Sequence, residues 1–147
     1  MAFFKKTELA IKKLSIDDDY DFSLVGISSH SKDYRLCWSV NNQLGTAFVK
    51  KEDLKVELVK SHEISLFSFY EHEDEENFNM QYIIANNGTS GMLLPEHRNL
   101  DYFWMIKGNF TKQNMRDLLE KLSKVEAVIT CLEMDVATLK SKQNLIF

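Results

Sequence analysis

YFWMIKGNFTKQNMRDLLEKLSKVEAVITCLEM, residues 102–134, decides the fold. Its first six residues are bulky on both faces, as expected for a strand covered on both sides. Gly108 ends that strand. Thr111 is placed to cap a helix over 112–124, although Asn114 stands where a capping box would hold Glu or Gln. Met115, Leu118, Leu119, Leu122 and Val125 form an apolar stripe at helical spacing. Residues 127–134 then read as a second strand. Strand, helix and strand in this order predict a βαβ unit whose strands run parallel, with a right-handed crossover. The same spacing is half of a ferredoxin-like fold.

Working back from residue 102, the chain adds antiparallel elements. Residues 22–28 (FSLVGIS) read as a strand. Ser31 is placed to cap a helix, with Asp33 in the first turn, where the helix dipole favours an acid. Tyr34, Cys37, Trp38, Asn41 and Leu44 follow at helical spacing, and Gly45 stops the helix. Weak alternation over 46–50 and 54–59 predicts one or two short strands. Residues 64–71 (ISLFSFYE) and 78–85 (FNMQYIIA) are stronger and flank a polar segment, which makes a hairpin. Asn87-Gly88 is a strong hairpin signal, turning the strand at 80–86 into a short strand at 91–94. Beyond 134, Asp135 can cap a short terminal helix through Lys140. The fold class is therefore α+β: one mixed, mostly antiparallel sheet with two main helices and a C-terminal βαβ unit of ferredoxin-like type.

The totals agree with a single globular domain over 1–147. The chain is 44% hydrophobic and 27% charged, with 12% aromatic residues, one Pro and five Gly. That balance suits a packed core and leaves no room for a low-complexity linker. No apolar run approaches the roughly 18 consecutive residues of a membrane-spanning helix. The N-terminal stretch, broken by Lys and Glu every few residues, lacks the apolar core of a signal peptide. Cys37 and Cys131 lie far apart within apolar patterns and read as free thiols of a cytoplasmic protein. The formal net charge is −4, from 18 bases and 22 acids. Nine of those acids sit in two places, five at 71–79 (EHEDEENFN) and four at 17–21 (DDDYD), so the remaining 13 face all 18 bases. Acidic protrusions on a mildly basic body are poor for nucleic-acid binding, which needs clustered positive charge. The Lys pairs at 5–6 and 12–13 are too sparse to change that. The expected partners are therefore another protein, with no nucleic acid and no membrane, and the chain itself is a monomer or a homodimer. A homodimer would form through a sheet edge or the aromatic strand at 102–107.

Residues 94–102 (LPEHRNLDY) resemble the motif that names the IPExxxVDY family of bacterial proteins. Pro95, Glu96, Asp101 and Tyr102 match as they stand. Leu94 replaces Ile and Leu100 replaces Val, both apolar exchanges. Residues 32–41 (KDYRLCWSVN) and 139–147 (LKSKQNLIF) are similar to that family too, so the resemblance covers most of the chain. It implies a bacterial cytoplasmic domain and brings no established activity.

Read physically, the turn holds the only proline in the chain, which extends Leu94 and fixes its own φ. Glu96, His97, Arg98 and Asp101 place two acids, a base and an imidazole within six residues, followed by Tyr102. Such a set can serve acid–base chemistry, or bind an anion through Arg98. The competing reading is a structural clamp, with the carboxylates accepting backbone N–H bonds and Tyr102 opening a core strand. Glu73, Asp74, Glu75 and Glu76, with His72 beside them, form a hairpin tip able to steer a basic partner. They lack the spacing of a calcium loop, so no metal site is expected. Asp17, Asp18, Asp19 and Asp21 read as an exposed linker. Ser28, Ser29, His30 and Ser31 carry no nucleophile signature. Tyr34 and Trp38 are assigned to core packing in preference to ligand stacking. With no Gly-rich phosphate loop, C-x-x-C or H-E-x-x-H, no cofactor and no catalytic residue is assigned. The expected function is a non-enzymatic protein-binding or adaptor module. The alternative is a small-molecule sensor or enzyme with its site at 95–102.

Overall fold

The doubly apolar strand over Tyr102–Gly108 lies inside a six-stranded sheet, and the rest of the molecule is arranged around it. The structure, a computed structural model, describes residues 20–147. The acids at 17–19, the Lys pairs at 5–6 and 12–13 and the N-terminal stretch read for a signal peptide lie outside the described residues. In chain order the elements are β1 (Ser23–Ser28), α1 (Asp33–Leu44), β2 (Val49–Lys50), β3 (Leu54–Glu57) and β4 (Ile64–Phe67). They continue with β5 (Phe69–Asp74), β6 (Asn79–Ala85), β7 (Tyr102–Gly108), α2 (Lys112–Ser123) and β8 (Thr130–Met134). Short 3₁₀ turns occupy Pro95–His97, Val136–Thr138 and Lys142–Leu145.

The large sheet has the order β2-β5-β6-β7-β1-β8, and β3 and β4 form a separate two-stranded sheet. β1 pairs antiparallel with both β7 and β8, so those two strands run parallel with β1 inserted between them. The β7–α2–β8 unit is thus a split βαβ, and every pairing within the large sheet is antiparallel. The class is α+β. β7 is buried from Tyr102 to Ile106 at the middle of the sheet, which takes the aromatic strand out of contention as a dimer surface.

Alternation sorts the side chains into two cores. Val25, Ile27, Ile83, Tyr102, Trp104 and Ile106 face α1 and α2, which both lie on this side. Leu24, Ile84, Phe103 and Met105 face the opposite way, toward the 94–100 turn, Phe67 and the C-terminal segment with Leu139 and Leu145. Gly26 points toward this second core, where a Cβ would sit 2.5 Å from Leu100 Cδ1 and 2.9 Å from Met134 Sδ. Its lack of a side chain lets the motif turn lie directly on β1.

Several local expectations are corrected. Residues 64–71 break at Ser68, where the chain leaves the β3–β4 sheet and joins the large one. The short strand at 91–94 shrinks to one bridge, Asn87 to Met92. The terminal helix is a pair of 3₁₀ turns, although Asp135 does cap the first by accepting from Ala137 N. Ser31 does not cap α1; Lys32 holds that position with no side-chain bond. Asn114 completes a capping box on α2: Thr111 Oγ1 accepts from Asn114 N, and Asn114 Oδ1 accepts from Thr111 N.

The largest correction concerns α1. It buries Leu36, Cys37 and Val40, and leaves Tyr34 and Trp38 outside. The sequence holds two overlapping stripes, and burying the aromatic one would strip water from a phenol, an indole N–H and the Asn41 amide. The aliphatic stripe carries no such cost. Asn41 is freed to clamp the next segment, accepting from Thr46 Oγ1 and Phe48 N and donating to Phe48 O.

Candidate functional site

The 94–102 turn is built from backbone bonds. Pro95 opens a 3₁₀ turn in which His97 N donates to Leu94 O and Leu100 N donates to His97 O. Glu96 Oε2 accepts from Ser141 N at 2.8 Å, fixing the C-terminal segment. Burial pushes the Glu96 carboxyl upward. Hydrogen bonds from its own backbone N–H, from Ser141 and from the Lys140 backbone outweigh this and hold it below the ordinary 4.5. Asp101 Oδ2 accepts from Ser29 N at 2.8 Å, and Tyr102 Oη donates to Ser31 O at 2.6 Å. The Tyr102 hydroxyl is pushed far above its usual range by burial, with Asp33 and Asp101 adding to the effect. It is a fixed donor at neutral pH.

The five residues singled out in this turn do not converge. Glu96 borders a cleft of about 620 Å³ with Leu58, Met92 and Lys140. Asp101 and Tyr102 border a different one of about 460 Å³ beside His30 and Asp33. His97 and Arg98 line neither, and Arg98 is exposed. The carboxylates engage neighbouring backbone, and no base stands within hydrogen-bond reach of a nucleophile here.

Asn86 organises the turn and escaped the sequence reading. It is fully buried. Its Nδ2 donates to His97 O and Leu100 O, and its Oδ1 accepts from Leu94 N. Its own N donates to Asp101 O, and its O accepts from Leu93 N. A polar residue closing the apolar run 83–85 was the available signal, masked by the following Asn87-Gly88.

On the helix side, the same turn sets where α1 begins. Asp101 and Tyr102 hold Ser29 and Ser31, Ser29 Oγ donates to Ala127 O, and Tyr70 Oη donates to Asp33 Oδ2. The helix that follows displays Tyr34 and Trp38 one turn apart, 64% and 68% exposed, with Arg35 between them on the surface. They line a cleft of about 560 Å³ with His30, Lys32 and Glu126. Beneath them, burial first and Asp33 second push the Cys37 thiol up to about 12, so it is no nucleophile.

The β5–β6 tip places the four acids as a group. Glu73 and Asp74 end β5, and Glu75 and Glu76 lie in the turn beyond it. Asp74 braces that turn, accepting from Asn77 N and Nδ2. His72 belongs to the sheet: its Nδ1 accepts from Ala47 N, its ring lies 5.4 Å from Phe48, and burial lowers its pKa. Phe78 was not singled out in the sequence. It stands 81% exposed at the tip with φ +58°, a left-handed conformation costly for an aromatic residue.

Among the described residues no group of three or more His, Cys, Asp or Glu could hold a metal ion, and no helix is long and apolar enough to cross a membrane. Comparison with protein-family models, curated proteins and solved structures finds no match.

Proposed function

We propose that this chain is a non-enzymatic protein-binding module of the bacterial cytoplasm, akin to the IPExxxVDY proteins, whose recognition face is the outer side of α1. The observation that carries this reading is the exposure of Tyr34 and Trp38 around Arg35. Trp, Tyr and Arg are the residue types that dominate binding energy at protein interfaces. Holding two large aromatic rings in water one helical turn apart gives the free chain nothing, whereas covering them with a partner recovers their apolar area. The 94–102 turn supports the face by fixing the start of α1. The acidic tip supplies the field that steers a basic surface.

A photo-cross-linking amino acid at position 34, introduced in living cells, tests the reading. Protein adducts are expected, and Trp38→Ala should abolish them while leaving the thermal midpoint unchanged. No protein adduct, or adducts indifferent to Trp38→Ala, would remove this face from the function.

A further inference from the structure

Two exposed aromatic patches among the described residues carry opposite charge. The α1 cleft bears Lys32 and Arg35 against one acid, Glu126, and neither cation forms an ion pair among the described residues. The β5–β6 tip bears Glu73, Asp74, Glu75 and Glu76, with Lys107 beside them, and projects Phe78. One patch is an open cleft walled by aromatic rings. The other is a protrusion ending in one.

They cannot meet within one chain. The tip lies beyond the Asp74–Asn79 pair, and Asn79 in turn pairs with Gly108. α1 begins after Ser28, beside the pairs Ile27–Tyr102 and Ala85–Tyr102, at the other end of those strands. Strands of seven residues separate the two ends by roughly 20 Å.

We infer that the α1 cleft receives the acidic tip of a second copy of this chain. Phe78 enters between Tyr34 and Trp38, and Glu73, Glu75 and Glu76 face Lys32 and Arg35. This rests on the protein-binding reading of α1 and names its partner. The contact joins two different patches, so a copy either exchanges tip for cleft reciprocally with one partner or leaves one cleft and one tip free for further copies. Assembly therefore closes into a two-fold pair or a larger ring, or grows as open chains. Desolvating opposite charges around an aromatic anchor favours the pairing. Because both rims are exposed, it weakens as salt screens them.

Sedimentation of the purified full chain tests this. Mean mass should rise continuously with concentration at about 0.05 M salt and fall toward the monomer at about 0.5 M. Arg35→Glu, Phe78→Ala and the tip reversal Glu73→Arg/Glu75→Arg should each weaken association about tenfold or more, the loss expected for a close charge pair or aromatic anchor. These positions are on the surface, and unchanged thermal midpoints verify that the variants fold. The decisive sample mixes Arg35→Glu with the tip reversal. Each alone repels itself, but the intact acidic tip of the first fits the intact cleft of the second, so the mixture should associate. A monomer at all concentrations up to about 1 mM, a mixture no heavier than its components, or a plateau at dimer mass indifferent to these substitutions would each overturn the inference. If position 34 still cross-links to other proteins in cells while the purified chain stays monomeric, the second-copy assignment alone fails and the recognition face stands. If both experiments are negative, both readings fall.

Discussion

Asn86, which lies outside the 94–102 turn, holds that turn through three hydrogen bonds of its side-chain amide. Its amide satisfies Leu94 N and Leu100 O within the second core and His97 O at its part-buried edge. Asn86→Ala would leave Leu94 N and Leu100 O without the amide in the buried interior, whereas His97 O keeps the bond from Leu100 N. Unsatisfied buried groups cost about 1–3 kcal/mol each, with partial relaxation, so a loss of about 2–4 kcal/mol is expected in urea denaturation. An effect below about 0.5 kcal/mol, the size usual for surface substitutions, would show that the turn does not depend on it. Glu96 gives a second test at this scale, through pH. Its folded-state pKa lies below the unfolded value near 4.5. The bond to Ser141 therefore contributes stability fully present above that value and lost as pH falls through the folded one. The stability gap between the wild type and Glu96→Gln should be constant near neutrality and close as pH falls below 4.5 and through the lowered folded-state pKa. A gap that widens on acidification would reverse the sign and contradict the hydrogen-bonded carboxylate.

Among the elements, α1 is where sequence and structure part, and the reason is physical. Periodicity alone admits a stripe through Tyr34, Cys37, Trp38 and Asn41 as readily as one through Leu36, Cys37 and Val40. Polar atoms on the first stripe decide between them, because a buried indole N–H, phenol and amide would each need a partner against the sheet, whereas the aliphatic stripe needs none. Leu36→Ala should cost about 2–5 kcal/mol and Trp38→Ala less than about 0.5 kcal/mol, measured side by side by chemical denaturation. The opposite order would mean that the helix is rotated as the aromatic spacing suggests. α2 was legible because its stripe is unambiguous: Met115, Leu118 and Leu122 are the residues it buries. β7 was legible for the same reason, its bulky residues filling both faces. The insertion of β1 between β7 and β8 was not legible, since local pattern says that two strands are parallel but not whether they touch. The acidic tip could be placed from its charge. Phe78 could not, because one apolar residue in a polar turn has no period to betray its direction. Glu96 and Asp101 were readable as turn acids, but their partners, Ser141 and Ser29, lie far away in sequence, beyond any local pattern.

Over the whole molecule, the two cores share one sheet, and this binds their stabilities together. The second core is closed by the C-terminal segment. Leu139 and Leu145 are buried in it, Asn144 Nδ2 donates to Leu93 O, and Phe147 lies edge-on to Phe69 and Tyr82 at 5.1 and 5.2 Å. Trp104 sits on the other side of the sheet, its Nε1 donating to Gln81 Oε1 and its ring 4.9 Å from Phe48. Leu145 is fully buried, so Leu145→Ala should cost about 2–5 kcal/mol, the range for an aliphatic side chain truncated in a packed interior. The cost should appear at Trp104 as well, although no side chain of the C-terminal segment reaches that face. Each central strand contributes alternate residues to both cores, so neither face can come apart while the strands stay paired. In a Trp38→Phe background, where Trp104 is the sole indole, fluorescence and far-UV circular dichroism should give one coincident transition, shifted equally by Leu145→Ala. A shift seen by circular dichroism while the Trp104 signal keeps its wild-type midpoint would show two independently unfolding layers. That result would also detach the 94–102 turn from α1. The turn reaches the second core through Glu96 and Leu100 and the helix through Asp101 and Tyr102, and it can position the Tyr34–Trp38 face only if both layers melt as one.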